Sequence, residues 1–407
     1  MYQPLESPAS SLPCLPARAH ADTPSLWVAV GLSMGTTVAV GLARFAYSLL
    51  LPAMRADLHW SYAEAGTLNA AISLGYLFGA LLTPRIEKAF GSQRSFLGGM
   101  LVAAAGLFAV AGFRDFPVLL ALRFATGLAL GPIFICGFNL AARAGVASDR
   151  STLFSSVYGS GVGTGIILSG VLLPPILTAA DRWPFGWVAL AALALVGTLL
   201  AMPALRHSPA TAPKTAAAGA QVALRGLSPL LVAACVYGAG YFALVTFLIA
   251  YLRLSGYPHA RIVEFWITAG TVLIITTFLW GKVLARFRGG WGVALTNGIL
   301  IVSALMLLVW HGEAVVVAAS VLFGASVLMS AFSQFDYGRR LAPPQDWTRV
   351  TAALTASFCF GQFLGPIACG WISDAAGLRI GMLAAAGLLL ACIVAALLQR
   401  DVRAQHA

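Results

Sequence analysis

The sequence predicts an all-α membrane protein, with twelve transmembrane helices arranged as two pseudo-symmetric six-helix bundles. Three observations lead there. Of 407 residues, 59% are hydrophobic and 10% charged, with a mean hydropathy of +0.87, whereas soluble domains carry roughly 25% charged residues. The apolar residues gather into twelve stretches, each near the ~20 residues that cross a bilayer as a helix. Features of the first six stretches recur in the last six at an offset of about 200 positions, which is the mark of an internal duplication.

Residues 1–25 have no basic n-region and no apolar h-region, so they do not read as a signal peptide. Their Pro, Ala and Ser content predicts a disordered tail. Spans are expected at 26–54, 62–84, 95–113, 117–142, 151–178 and 185–203, forming an N-terminal bundle over 26–203. Residues 204–226, with Pro209, Pro213, Lys214 and an alanine run from Ala216, read as a polar linker. A C-terminal bundle over 227–400 then holds spans at 228–253, 262–284, 291–311, 314–337, 350–372 and 379–398, followed by a short tail, 401–407. The twelve spans leave no room for a folded soluble domain.

The repeat is visible residue by residue. His59 and Glu64 before and at the start of the second span match His259 and Glu264 around the eighth. Gly161, Gly165 and Gly170 in the fifth match Gly361, Gly365 and Gly370 in the eleventh. Gly79, Arg85 and Gly91 after the second recur loosely as Gly281, Arg286 and Gly290 after the eighth.

A net charge of +11 invites a nucleic-acid reading. The basic residues are scattered through short loops and form no stripe, which excludes it. Their distribution instead reports topology. Seventeen Lys and Arg fall in segments on the side of the N-terminus, six on the opposite side and two within spans. By the positive-inside rule both termini are cytoplasmic. Five of the six cysteines lie within spans, with no metal-ligand spacing, and read as packing residues. No phosphate-binding loop and no nucleophile–histidine pairing appears, so neither an enzyme nor a cofactor is expected.

Two arginines stand inside apolar spans, Arg44 in the first and Arg123 in the fourth. A charge at the bilayer centre costs at least ~2.5–3.5 kcal/mol, so each must face protein or a water-filled cavity. Tyr237 and Tyr241 lie one helical turn apart in the seventh span, and Ser326, Ser330, Ser333 and Gln334 make a polar stripe in the tenth. Asn69, Asn139 and Gln362 are further polar residues at depth. Gly161, Gly165, Gly361 and Gly365 have the small-xxx-small spacing of close helix packing. No acid lies near mid-membrane. Glu64, Glu264 and Asp336, all at span ends, are the candidates for coupling.

The run Gly41-Leu42-Ala43-Arg44-Phe45-Ala46-Tyr47, followed by Leu51-Pro52-Ala53-Met54, resembles the first span of the YbfB/YjiJ branch of the major facilitator superfamily. Ala63-Glu64-Ala65-Gly66, Leu74 to Ala80, and Tyr237-Gly238 with Gly240-Tyr241 continue the likeness, and Arg123 to Gly127 fits the superfamily's fourth span. The resemblance implies a monomeric secondary transporter of the bacterial inner membrane that moves a small organic solute by alternating access. It also implies that spans 1, 4, 7 and 10 line a central cavity, making Arg44, Arg123, Tyr237, Tyr241, Ser326, Ser330 and Gln334 candidate substrate contacts. Protons are the candidate coupling ion. The segments around Gly79, Arg85, Gly91 and Arg94, and around Gly281 and Arg286, become candidate gating loops. Thr83 stands where the superfamily usually has an aspartate, four residues after that first glycine, and Pro84 follows it; Gly165 lacks the following proline found after Gly365. The arginines tilt the expected solute toward an anion. Efflux of amphipathic compounds is the alternative, favoured by an aromatic cavity, and a receptor or scaffold is the remaining one.

Overall fold

A computed structural model describes residues 26–146, 150–206, 224–284, 286–343 and 346–399. Both predicted tails and most of the 204–226 linker lie outside the described residues. Twelve helices long and apolar enough to span a membrane follow one another: α1 Leu26–Leu58, α2 Tyr62–Phe90, α3 Ser92–Val110, α4 Phe116–Val146, α5 Ser151–Leu172 and α6 Trp183–Arg206 in one half. The second half contains α7 Ser228–Leu254, α8 His259–Leu284, α9 Trp291–Val309, α10 Glu313–Leu341, α11 Trp347–Ala376 and α12 Leu378–Leu398. No strand occurs among the described residues.

Successive helices run antiparallel because their connections are short. The start of α2 meets the end of α11, where Tyr62 and Ala63 lie against Asp374, so the starts of α1 and α7 share one face, here termed the proximal face, and their ends share the distal face. Single-residue turns at Gly91 (φ +80°) and Gly377 (φ +92°) join α2 to α3 and α11 to α12. Only glycine adopts such angles without strain. Large apolar side chains such as Leu81, Phe108, Leu199, Leu200, Trp371 and Leu390 are exposed around the outside. Such a belt suits lipid and would be untenable in water. This is a multi-pass membrane protein.

Several boundaries differ from the sequence reading, each for a local reason. α2 continues through Pro84 to Phe90, so Gly79 and Arg85 belong to a helix and not to a loop. Likewise Gly281 lies in the last turn of α8. At 29 and 26 residues these helices exceed the ~20 that cross hydrocarbon, which leaves their polar ends length enough to reach water. α5 stops at Leu172, earlier than expected, ahead of Pro174 and Pro175. α10 is broken into Glu313–Ser326 and Met329–Leu341. Carbonyls at the break are taken by other helices: Trp280 Nε1 donates to Ala325 O at 2.6 Å and the Tyr237 hydroxyl to Val327 O at 2.6 Å.

Within each half, α5 lies on α1 and α11 on α7 at glycine crossings. A Cβ on Gly161 would come to 2.2 Å from Ser33 O, and one on Gly165 to 2.7 Å from Gly41 Cα. In the second half, a Cβ on Gly361 would reach 1.8 Å from Cys235 O, and one on Gly365 2.1 Å from Ala239 O. The two halves meet along α2 with α11, α5 with α8, and the distal part of α1 with α7.

Candidate functional site between the halves

Arg44 is built onto an irregular segment. α1 is π-helical from Thr37 to Phe45, and Ala46 N donates to Gly41 O, five residues back, at 3.0 Å. A π-turn carries an extra residue, so it changes which side chains face a neighbour beyond it. Here it turns Arg44 toward the second half. Its Nη2 donates to Gln362 Oε1 of α11 at 2.6 Å and to Ser73 Oγ of α2 at 3.2 Å. The guanidinium lies over Phe242 of α7 at 4.8 Å and Tyr76 of α2 at 5.3 Å. Arg44 is 6% exposed, and its Nε has no partner.

Arg123 reaches the same level by a different route. It is fully buried inside the first half, where Nη1 donates to Ala43 O at 2.9 Å and Nη2 to Asn69 Oδ1 at 3.2 Å. Tyr47 and Trp187 flank its guanidinium at 5.2 and 5.1 Å. Asn69 then donates to Thr246 of α7 at 2.7 Å, so a polar chain runs from Arg123 across the interface. None of the ion pairs among the described residues includes either arginine. Two buried cations share this region without a carboxylate partner.

Aromatic rings continue the site toward the proximal face. Tyr237, Tyr241 and Phe358 stack with centroids 5.4–6.1 Å apart and planes within 15°. Tyr76 and Phe358 are half-buried, as is Phe134, which meets Tyr76 edge-on at 6.4 Å. The tetrad Arg44, Ser73, Gln362 and Phe242 draws on four helices of both halves.

The other sequence candidates are placed elsewhere. The α10 stripe faces its own bundle: Ser326 bonds back to Leu322 O at 2.7 Å, Ser333 lies 3.3 Å from Thr296 of α9, and Gln334 Nε2 lies 3.9 Å from Cys392 Sγ of α12. Ser330 Oγ and Gln334 Oε1 are buried without partners. Glu64 closes a capping box with Ser61 at the start of α2. Glu264 pairs with Arg261 at 2.6 Å on the distal side, and Asp336 with Arg340 at 2.5 Å near the proximal face. Arg85, Arg94 and Arg286 are exposed. Sequence reasoning missed Ser73, Tyr76 and Phe242 as partners of Arg44. Ordinary residues in apolar spans give no signal of their own, and only the polar Gln362 stood out.

Compared with known proteins, residues 36–397 match the family described as the uncharacterised MFS-type transporter YbfB. The chain belongs to that family of the major facilitator superfamily. A relative from Streptomyces lividans, the "Chloramphenicol resistance protein", is 29% identical over 372 residues, which cover 87% of this chain and 91% of the relative. Among solved structures, a mutant form of the nucleoside transporter NupG superposes with a TM-score of 0.73 at 13% identity, over 90% of this chain and 98% of that one. A bacterial homologue of the human lysosomal transporter Spinster, captured facing inward, gives a TM-score of 0.71 at 14% identity, over 92% and 96%. These structural likenesses establish the major facilitator fold, with its two six-helix bundles.

Proposed function

We propose that this YbfB-family protein is a secondary carrier for a small organic solute with an anionic group, working by alternating access in the bacterial inner membrane with its proximal face cytoplasmic. One observation carries the reading. Arg44 is a buried cation held between the two halves by neutral partners only, Gln362, Ser73 and two aromatic rings. Buried charges are ordinarily paired, and a carboxylate or phosphate on the solute would supply the missing charge. Contacts from both halves would let the solute's binding depend on how the halves are disposed, as alternating access requires.

A second reading, efflux of amphipathic compounds with an aromatic body, draws on the Tyr237–Tyr241–Phe358 stack and on the name of the Streptomyces relative. The same experiment separates the two. Purified protein is screened by thermal shift against small organic anions and neutral aromatic compounds, since a bound ligand stabilises by mass action. Melting temperature and ligand affinity are then measured for the unaltered protein, Arg44→Lys and Arg44→Ala. The anion reading expects Lys to weaken binding, because it keeps the charge but loses the planar fork, and Ala to abolish it in protein that still folds. Unchanged affinity of Arg44→Ala for every bound anion would sink it, and retained binding of neutral aromatics alone would leave the second reading.

A further inference from the structure

We infer that Asp374, at the distal end of α11, is the latch that holds the distal gate shut; the inference rests on the carrier reading above, but not on which solute is carried. A helix begins with four N–H groups that lack intrahelical acceptors, and at α2 they are divided between two owners. Ser61 N is taken by Glu64 Oε2 at 2.8 Å and Glu64 N by Ser61 Oγ at 3.1 Å, both within the first half. The other two belong to the second half: Tyr62 N donates to Asp374 Oδ1 at 2.8 Å and Ala63 N to Asp374 Oδ2 at 2.9 Å.

The carboxylate thus sits at the positive end of the α2 dipole, where a negative charge is stabilising, and it forms no ion pair among the described residues. Its position is set one and two turns earlier on α11. A Cβ on Gly370 would come to 2.7 Å from Tyr62 O, and one on Gly66 to 2.3 Å from Pro366 O, so the two backbones touch along this seam. The repeat does not copy the device. At the offset that aligns Gly370 with Gly170, Asp374 falls on Pro174, and the α5–α8 seam is held instead by Trp266 Nε1 donating to Ser169 Oγ at 3.3 Å.

All hydrogen bonds between described residues of the two halves lie at the level of Arg44 or distal to it. Opening the distal side must separate α2 from α11 there, which strips α2 of half its cap. Asp374 therefore acts through α2, as a positioning residue whose charge favours the distal-closed state.

The test measures the distance between spin labels on Asp115→Cys in the first half and His259→Cys in the second, in full-length protein in nanodiscs without added solute. The expected result is a larger long-distance population in Asp374→Ala and Asp374→Asn, by roughly threefold to tenfold. Ser61→Ala, which weakens the same helix start without touching the seam, should lower the melting temperature and leave the distances alone. Gly370→Ala, which wedges the seam without altering charge, should open it as well and shows what an opened seam looks like, while Asp374→Asn serves if Asp374→Ala fails to fold. An unchanged distribution in a folded Asp374 variant would overturn the latch whatever Gly370→Ala does, as would an equal shift in Ser61→Ala. Because no solute is present, failure here leaves the Arg44 reading standing, and loss of anion binding at Arg44 leaves the latch standing.

Discussion

Arg44 of the first half donates to Gln362 of the second at 2.6 Å, well inside α1 and outside every ion pair among the described residues. A neutral amide is a good acceptor but does not cancel the charge, so the bond joins the halves and leaves the site electrically unfilled. Gln362→Glu should fill it. The new carboxylate would pair with Arg44 and raise the melting temperature, while affinity for organic anions falls at least tenfold at neutral pH. Affinity for neutral aromatic compounds should change little. If anions bind the Glu variant as well as the unaltered protein, Arg44 is not what they bind.

Asn69 links Arg123 to Thr246 and so couples a buried cation of one half to a hydroxyl of the other. Asn69→Ala leaves Arg123 short of an acceptor. We expect a loss of about 1–3 kcal/mol, read as a lower melting temperature in detergent. Asn69→Asp should recover stability by giving Arg123 a charged acceptor. A neutral effect of the alanine would mean that Arg123 is satisfied elsewhere.

The glycine crossings offer a matched pair. Gly361→Ala forces a Cβ against the Cys235 carbonyl, where backbone cannot yield, and should destabilise by about 1–3 kcal/mol. Gly281→Ala meets nothing within 4 Å and should be neutral or stabilise by roughly 0.5–1 kcal/mol through helix propensity. Melting curves of the two variants, collected side by side, check both signs.

Membrane orientation is open to direct test. With the orientation proposed above, which follows the bias of basic residues, the 204–226 segment is expected on the cytoplasmic side. Cysteines introduced as His207→Cys and Lys214→Cys should react with a membrane-impermeant thiol reagent in inverted vesicles and stay unlabelled in intact cells. Labelling in intact cells would invert the topology and, with it, assign the latched distal face to the cytoplasm.

How much of this was legible in the sequence depends on the kind of force involved. Helix number, order and the two-half repeat follow from hydropathy and glycine spacing, because lipid demands runs of apolar residues whatever the neighbours are. Even there, α2 ran past Pro84 and α10 broke near Val327. Apolar length records where a chain can span, not where its backbone hydrogen bonds change partner.

Arg44 and Arg123 show the limit most clearly. By itself the sequence determined that the chain spans the membrane twelve times, that its halves repeat, and that two cations are buried in it, since the cost of a charge in hydrocarbon is fixed by the residue alone. Tertiary structure decided what each cation does. The π-turn directs Arg44 across the interface to Gln362, while Arg123, of the same type and at the same level, is enclosed by Tyr47, Trp187 and Asn69 of its own half. Likewise Asp374, which nothing in the sequence singles out, gains its role only where α2 is brought against it. The facing of a helix is set by how it rotates against its neighbours, and that rotation is a property of the packed bundle.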